Sequence, residues 1–148
     1  MQSILFIFIL LGVSETFVKT SAPEALIGKW KAIGYFYQNE FIQPPDPQLT
    51  LTFEFLEDGT DILFWQMKGN KSFCERKGKW SVKDETLYDE IIWINPENGM
   101  DCSGDPDMEL GRINESHFWR HDGQLFVEIP LADEFLIYVW SLETGKLE

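Results

Sequence analysis

Hydrophobic and polar residues alternate along most of this chain with the two-residue period of a β-strand. The cleanest run is 49–56, where Leu49, Leu51, Phe53 and Phe55 share one face and Thr50, Thr52 and Glu54 the other. Further strand-like runs occupy 27–38, 61–68, 73–82, 87–94, 108–120, 124–129 and 134–142. Turn formers separate them: Glu57-Asp58-Gly59-Thr60, Gly69-Asn70 and His121-Asp122-Gly123. The stretch Gln43-Pro44-Pro45-Asp46-Pro47 cannot lie inside a sheet, because proline lacks the N–H that a ladder needs. Residues 95–107 read as a longer loop. No stretch after Pro23 carries a helical period. Eight strands joined mostly by short turns predict an all-β antiparallel meander. An open meander exposes two edges, and closure into an up-and-down barrel removes both. A two-sheet sandwich is the alternative arrangement.

The first 22 residues stand apart. Their unbroken apolar run over 4–13 is too short to cross a bilayer, and Thr20-Ser21-Ala22 places small residues before Pro23. This predicts a signal peptide over 1–22 and a single domain over 23–148; the alternative is a buried N-terminal strand or helix. No cysteine precedes Cys74, which excludes a lipid anchor at the cut. Export puts Cys74 and Cys102 in an oxidising compartment, secreted or periplasmic, and predicts a disulfide between them. The formal net charge of −13 survives the cut, since Glu15 and Lys19 leave together. Such a surface repels nucleic acid and anionic headgroups, so neither nucleic-acid binding nor membrane insertion of the mature chain is expected.

The opening strand carries Gly28-Lys29-Trp30, placed so that the indole plugs one end of a closed sheet. With the leader and the meander over 27–142, the chain resembles the lipocalin-like (calycin) barrels in a divergent, bacterial single-domain form. The resemblance implies an eight-stranded barrel closed by Gly28 and Trp30, holding a small apolar ligand without catalysis. Two features depart from the family pattern. No Thr-Asp-Tyr-like segment occurs mid-chain, and only Lys146 follows the last strand, so no arginine is expected to stack on Trp30 from there. The triplet also recurs as Gly78-Lys79-Trp80.

Aromatic residues make up 15% of the chain, enough either to line a cavity or to fill one. The expected inward set is Phe53, Phe55, Phe64, Trp65, Ile92, Trp93, Phe126, Tyr138 and Trp140. Arg112, if it points inward, would anchor a ligand carboxylate such as that of a fatty acid, with Glu128 or Glu54 as its partner. His117 and His121 lack a third ligand, and the acidic residues of 101–107 do not follow a calcium-loop spacing, so no metal or cofactor is expected. No Gly-x-Ser-x-Gly elbow or phosphate-binding glycine loop is present, and no catalytic residues are assigned. The second reading is a protein-interaction module, an inhibitor or envelope factor, contacting a protein partner through 44–47 and 95–107.

Overall fold

The computed structural model describes residues 20–43, 48–131 and 134–144. Residues 1–19 of the expected 1–22 leader and the proline segment over 44–47 lie outside them. Nine strands are present among the described residues: β1 Gly28–Tyr37, β2 Glu40–Ile42, β3 Leu49–Phe55, β4 Thr60–Met67, β5 Phe73–Lys83, β6 Thr86–Ile94, β7 Ile113–His121, β8 Gln124–Leu131 and β9 Glu134–Leu142. All neighbours are antiparallel, and β9 pairs back onto β1, so the meander closes into an eight-stranded barrel. The ninth strand, β2, is a short addition on β1. It went unseen because Gln38 and Asn39 carry no glycine to mark their turn, yet both adopt positive φ (50° and 65°). Asp84-Glu85 and Asp122-Gly123 turn the same way, and this geometry matches the twist of paired strands.

Alternation sends every second side chain inward. The end where β1 begins is closed. Trp30 and Leu26 are fully buried there with Phe55, Phe118 and Leu125. Leu26 follows a 3₁₀ turn, Pro23–Ala25, and its carbonyl accepts a hydrogen bond from Trp30 Nε1 at 2.6 Å. Gly28 has φ +130°, and a Cβ there would overlap Leu142. Contrary to the expectation that Trp30 lacks an arginine, the Arg120 guanidinium lies 5.2 Å from its ring centroid. It comes from β7, which passes the floor beside β1's indole, and not from the closing strand.

Two bulges interrupt the alternation. One falls between Ala32 and Gly34, the other where Lys77 and Gly78 pair with Trp93 and Ile91, leaving Ile92 unpaired. Each bulge shifts later residues of its strand to the opposite face. The expected strand over 108–120 begins only at Ile113, because Pro106–Met108 forms a 3₁₀ turn capped by the Asp105 side chain.

The open end is overhung by the connection between β6 and β7. Cys102, in the 3₁₀ turn Met100–Gly104, is disulfide-bonded to Cys74 on β5, with Cα atoms 5.7 Å apart. Met108, Trp65 and Ile94 pack around the bond. Replacing both cysteines with serine should lower stability by about 3–4 kcal/mol, as expected for releasing a loop of this length. Urea unfolding of the oxidised parent and the variant checks it.

Candidate functional site

A cavity of about 710 Å³ occupies the upper half of the barrel, beneath the overhanging connection. Its walls are Leu51, Phe53, Trp65, Val127, Tyr138 and Trp140, among others. A second, smaller space of about 440 Å³ adjoins it between β1 and β3, sharing Leu49, Leu51 and Tyr138 with the first.

Of the residues expected inside, Phe53, Trp65, Tyr138 and Trp140 line the main cavity. Phe55 points inward too but sits below it, packed edge-on against Trp80 in the floor. Four others point away. Phe64 lies between the inward Leu63 and Trp65 and stacks on Phe73 outside. Phe126 pairs on the outer face with Trp119, their rings parallel at 5.3 Å. Ile92 is the bulged residue and is 47% exposed. Past that bulge Trp93 is turned outward, where the Lys77 ammonium lies 5.0 Å from its ring centroid. Arg112 is at the rim, not buried: it contacts Glu109 at 3.5 Å and donates to Asn114 at 2.9 Å, and neither Glu128 nor Glu54 is its partner.

The buried cation is Arg76. It stands on β5 between Cys74 and Gly78, with its guanidinium 5.3 Å from the Phe53 ring centroid. Its Nη1 donates to Asp61 of β4 at 2.7 Å and to Asp89 of β6 at 3.1 Å, and Nη2 donates to Asp89 Oδ2. All three side chains are almost wholly shielded from solvent. Arg76 and Asp89 form part of the cavity lining. Gly78 makes the cluster possible, since a Cβ there would overlap both carboxylates. The second Gly-x-Trp is therefore a seat for charge, with Trp80 Nε1 pinned to the Thr60 carbonyl at 2.9 Å.

Two carboxylates cannot both stay ionised beside one guanidinium without leaving a buried net charge. Burial first, and then the neighbouring Asp89 carboxylate, push Asp61 up to about 8, with Arg76 opposing. At neutral pH the cluster holds Asp61 protonated. Asp61 therefore binds a proton more tightly folded than unfolded. From about pH 4 to about pH 8 the unfolded chain has released that proton and the native state has not, so stability falls as pH rises through this window. Asp61→Asn should remove that slope, flattening the profile by more than about 1 kcal/mol, the equivalent of one pKa unit. Urea midpoints measured across the window check this.

Asp105 and Asp107 overhang the cavity from the connection. Asp107 accepts from Asn114 at 3.1 Å, and Asp105 accepts from the Asp107 backbone N–H at 2.8 Å. Burial raises the Asp107 carboxyl, against the pull of Arg76. Burial also raises Tyr138, reinforced by Asp107. Among the described residues no group of three or more His, Cys, Asp or Glu side chains is arranged to hold a metal ion. His117 is exposed, and His121 lies 3.3 Å from Asp122 at the turn.

No protein-family model matches the chain, and no curated protein matches it. Two solved bacterial structures do. A lipocalin-like protein from Bacteroides uniformis ATCC 8492 is 15% identical, with a TM-score of 0.50, over 77% of this chain and 96% of that one. An uncharacterized protein from Bacteroides eggerthii DSM 20697 is 16% identical, with a TM-score of 0.49, over 79% of this chain and 98% of that one. Closed eight-stranded topology and the first of these likenesses together establish a divergent lipocalin-like fold.

Proposed function

We propose that this protein binds a small, largely apolar molecule inside the barrel, without catalysis, and works outside the cytoplasm as a secreted or periplasmic protein. The observation that carries the reading is the aromatic-walled cavity of about 710 Å³, which falls in the range of roughly 300–1,000 Å³ typical of small-molecule sites. A filled barrel would have argued for a purely structural interior. The Cys74–Cys102 disulfide supports an oxidising compartment.

Titration with the neutral fluorophore N-phenyl-naphthylamine tests the binding claim. One-to-one enhancement of its emission is expected, together with quenching of the protein's tryptophans. Filling the cavity with Leu51→Trp and Val127→Trp should weaken binding by about tenfold or more, a difference of about 1.4 kcal/mol. Trp93→Ala, on the outer face, should leave binding unchanged. Equal binding by the filled variant would place the probe on the surface and end the proposal.

A further inference from the structure

We propose that the preferred ligand joins an apolar ring or chain to a protonated amine, and is not a fatty acid or other carboxylate. This rests on the cavity-binding reading above and narrows it. The buried guanidinium on the cavity lining, that of Arg76, is already bonded to Asp61 and Asp89. It therefore offers no free positive charge to a ligand carboxylate. Arg112, the other arginine near the cavity, is drawn to Glu109 and Asn114 at the rim.

Against these stand Asp105 and Asp107, which line the cavity from the overhanging connection. Asp107 spends one carboxylate oxygen on Asn114 and stands close enough to Tyr138 to raise its phenol. The aromatic faces of Trp65, Tyr138 and Trp140 line the same space. Carboxylates over aromatic walls are the chemistry that recognises a cation: the rings attract it through their quadrupoles and the carboxylates match its charge. An entering carboxylate meets the like charge of Asp105 and Asp107 and gives up part of its hydration. Two buried N–H groups on the lining, Arg76 Nε and Trp140 Nε1, have no hydrogen-bond partner among the described residues. A ligand that also carries a neutral acceptor gains contacts there once these side chains shift to meet it.

Naphthylmethylamine, naphthylmethanol and naphthylacetate share a ring and differ mainly in charge. Their competition against N-phenyl-naphthylamine at neutral pH, with calorimetry as a second readout, tests the inference. The amine should bind about tenfold more tightly than the alcohol, and the carboxylate more weakly than either. In Asp105→Asn with Asp107→Asn the amine-to-alcohol ratio should collapse towards one. If that variant does not fold, salt dependence in the parent protein decides: added salt should weaken the amine and leave the alcohol alone. An alcohol or carboxylate that binds as tightly as the amine overturns the inference while leaving a ligand-binding barrel. Failure of the fluorophore and all three compounds to bind overturns the binding reading itself.

Discussion

Arg76→Met will lower the stability of this barrel by about 3–5 kcal/mol at neutral pH, the usual cost of removing one member of a buried ion pair. The substitution leaves Asp89 and Asp61 facing each other behind Gly78 with no donor between them. Both must then take protons, or one must stay charged in an apolar interior. The loss should therefore shrink in acid and grow as the pH rises. The triple change Asp61→Leu, Arg76→Met and Asp89→Leu separates two roles for the cluster. Buried ion pairs replaced by apolar groups of similar volume are often neutral or stabilising. The triple variant should thus recover most of the single variant's loss. If it does, the cluster is not retained for stability, and its position on the cavity lining becomes the better reason for its presence. Urea unfolding of parent, single and triple variants at two pH values gives the comparison, and a single variant that unfolds like the parent would remove the argument.

Trp30→Ala will cost a similar amount, about 3–5 kcal/mol, the range for emptying a buried Trp site. Its ring is fully buried and holds three things at once. The indole N–H anchors the Leu26 carbonyl, so the 3₁₀ turn Pro23–Ala25 loses its tether to the floor. One face supports the Arg120 guanidinium. The rest fills the space between Phe53, Phe55 and Leu125 in the core cluster. Trp30→Phe should lie between parent and alanine variant, keeping the ring but not the hydrogen bond. A thermal midpoint unchanged in Trp30→Ala would mean the floor is closed by something else.

Much of the barrel could be read from the chain because its strands alternate. Leu49, Leu51, Phe53 and Phe55 declare their face, and the turns at Gly59 and Gly123 announce hairpins. The limits of that reading are local. Phe64 and Trp65 are adjacent in one strand and cannot both face inward, and the same holds for Ile92 and Trp93 without a bulge. A bulge is an irregularity of pairing, so its position depends on the partner strand and not on local composition. Hydrophobic character alone also misplaced Phe126, which a parallel stack on Trp119 half-buries on the outer face.

The polar core was missed for a different reason. Asp61, Arg76 and Asp89 lie on three strands, and each alone resembles an ordinary surface charge. A signal did exist in their parity. Asp61 shares a face with Leu63 and Trp65, Arg76 with Cys74 and Gly78, and Asp89 with Leu87 and Ile91. A charge at an apolar-phase position must be buried with a partner, and three such positions on neighbouring strands make a cluster. Arg120, two residues beyond Phe118, follows the same parity and is half-buried against the Trp30 ring. Arg112 fails it, because it precedes the strand and no alternation applies to it.

The short strand β2 has a consequence for access to the cavity. Around the floor, β1 is bonded to β3 through Gly28–Lys31 and Phe55–Thr52, but above Lys31 and Thr52 no pairing joins them among the described residues. There β1 turns its edge to β2, and Leu49 and Leu51 border the smaller space. The barrel is thus a sleeve stitched at one end and left with an open cuff at the other. Widening the cuff breaks no bond of the floor, so the proposed cavity has an entrance that can open while the end that holds the fold together stays shut.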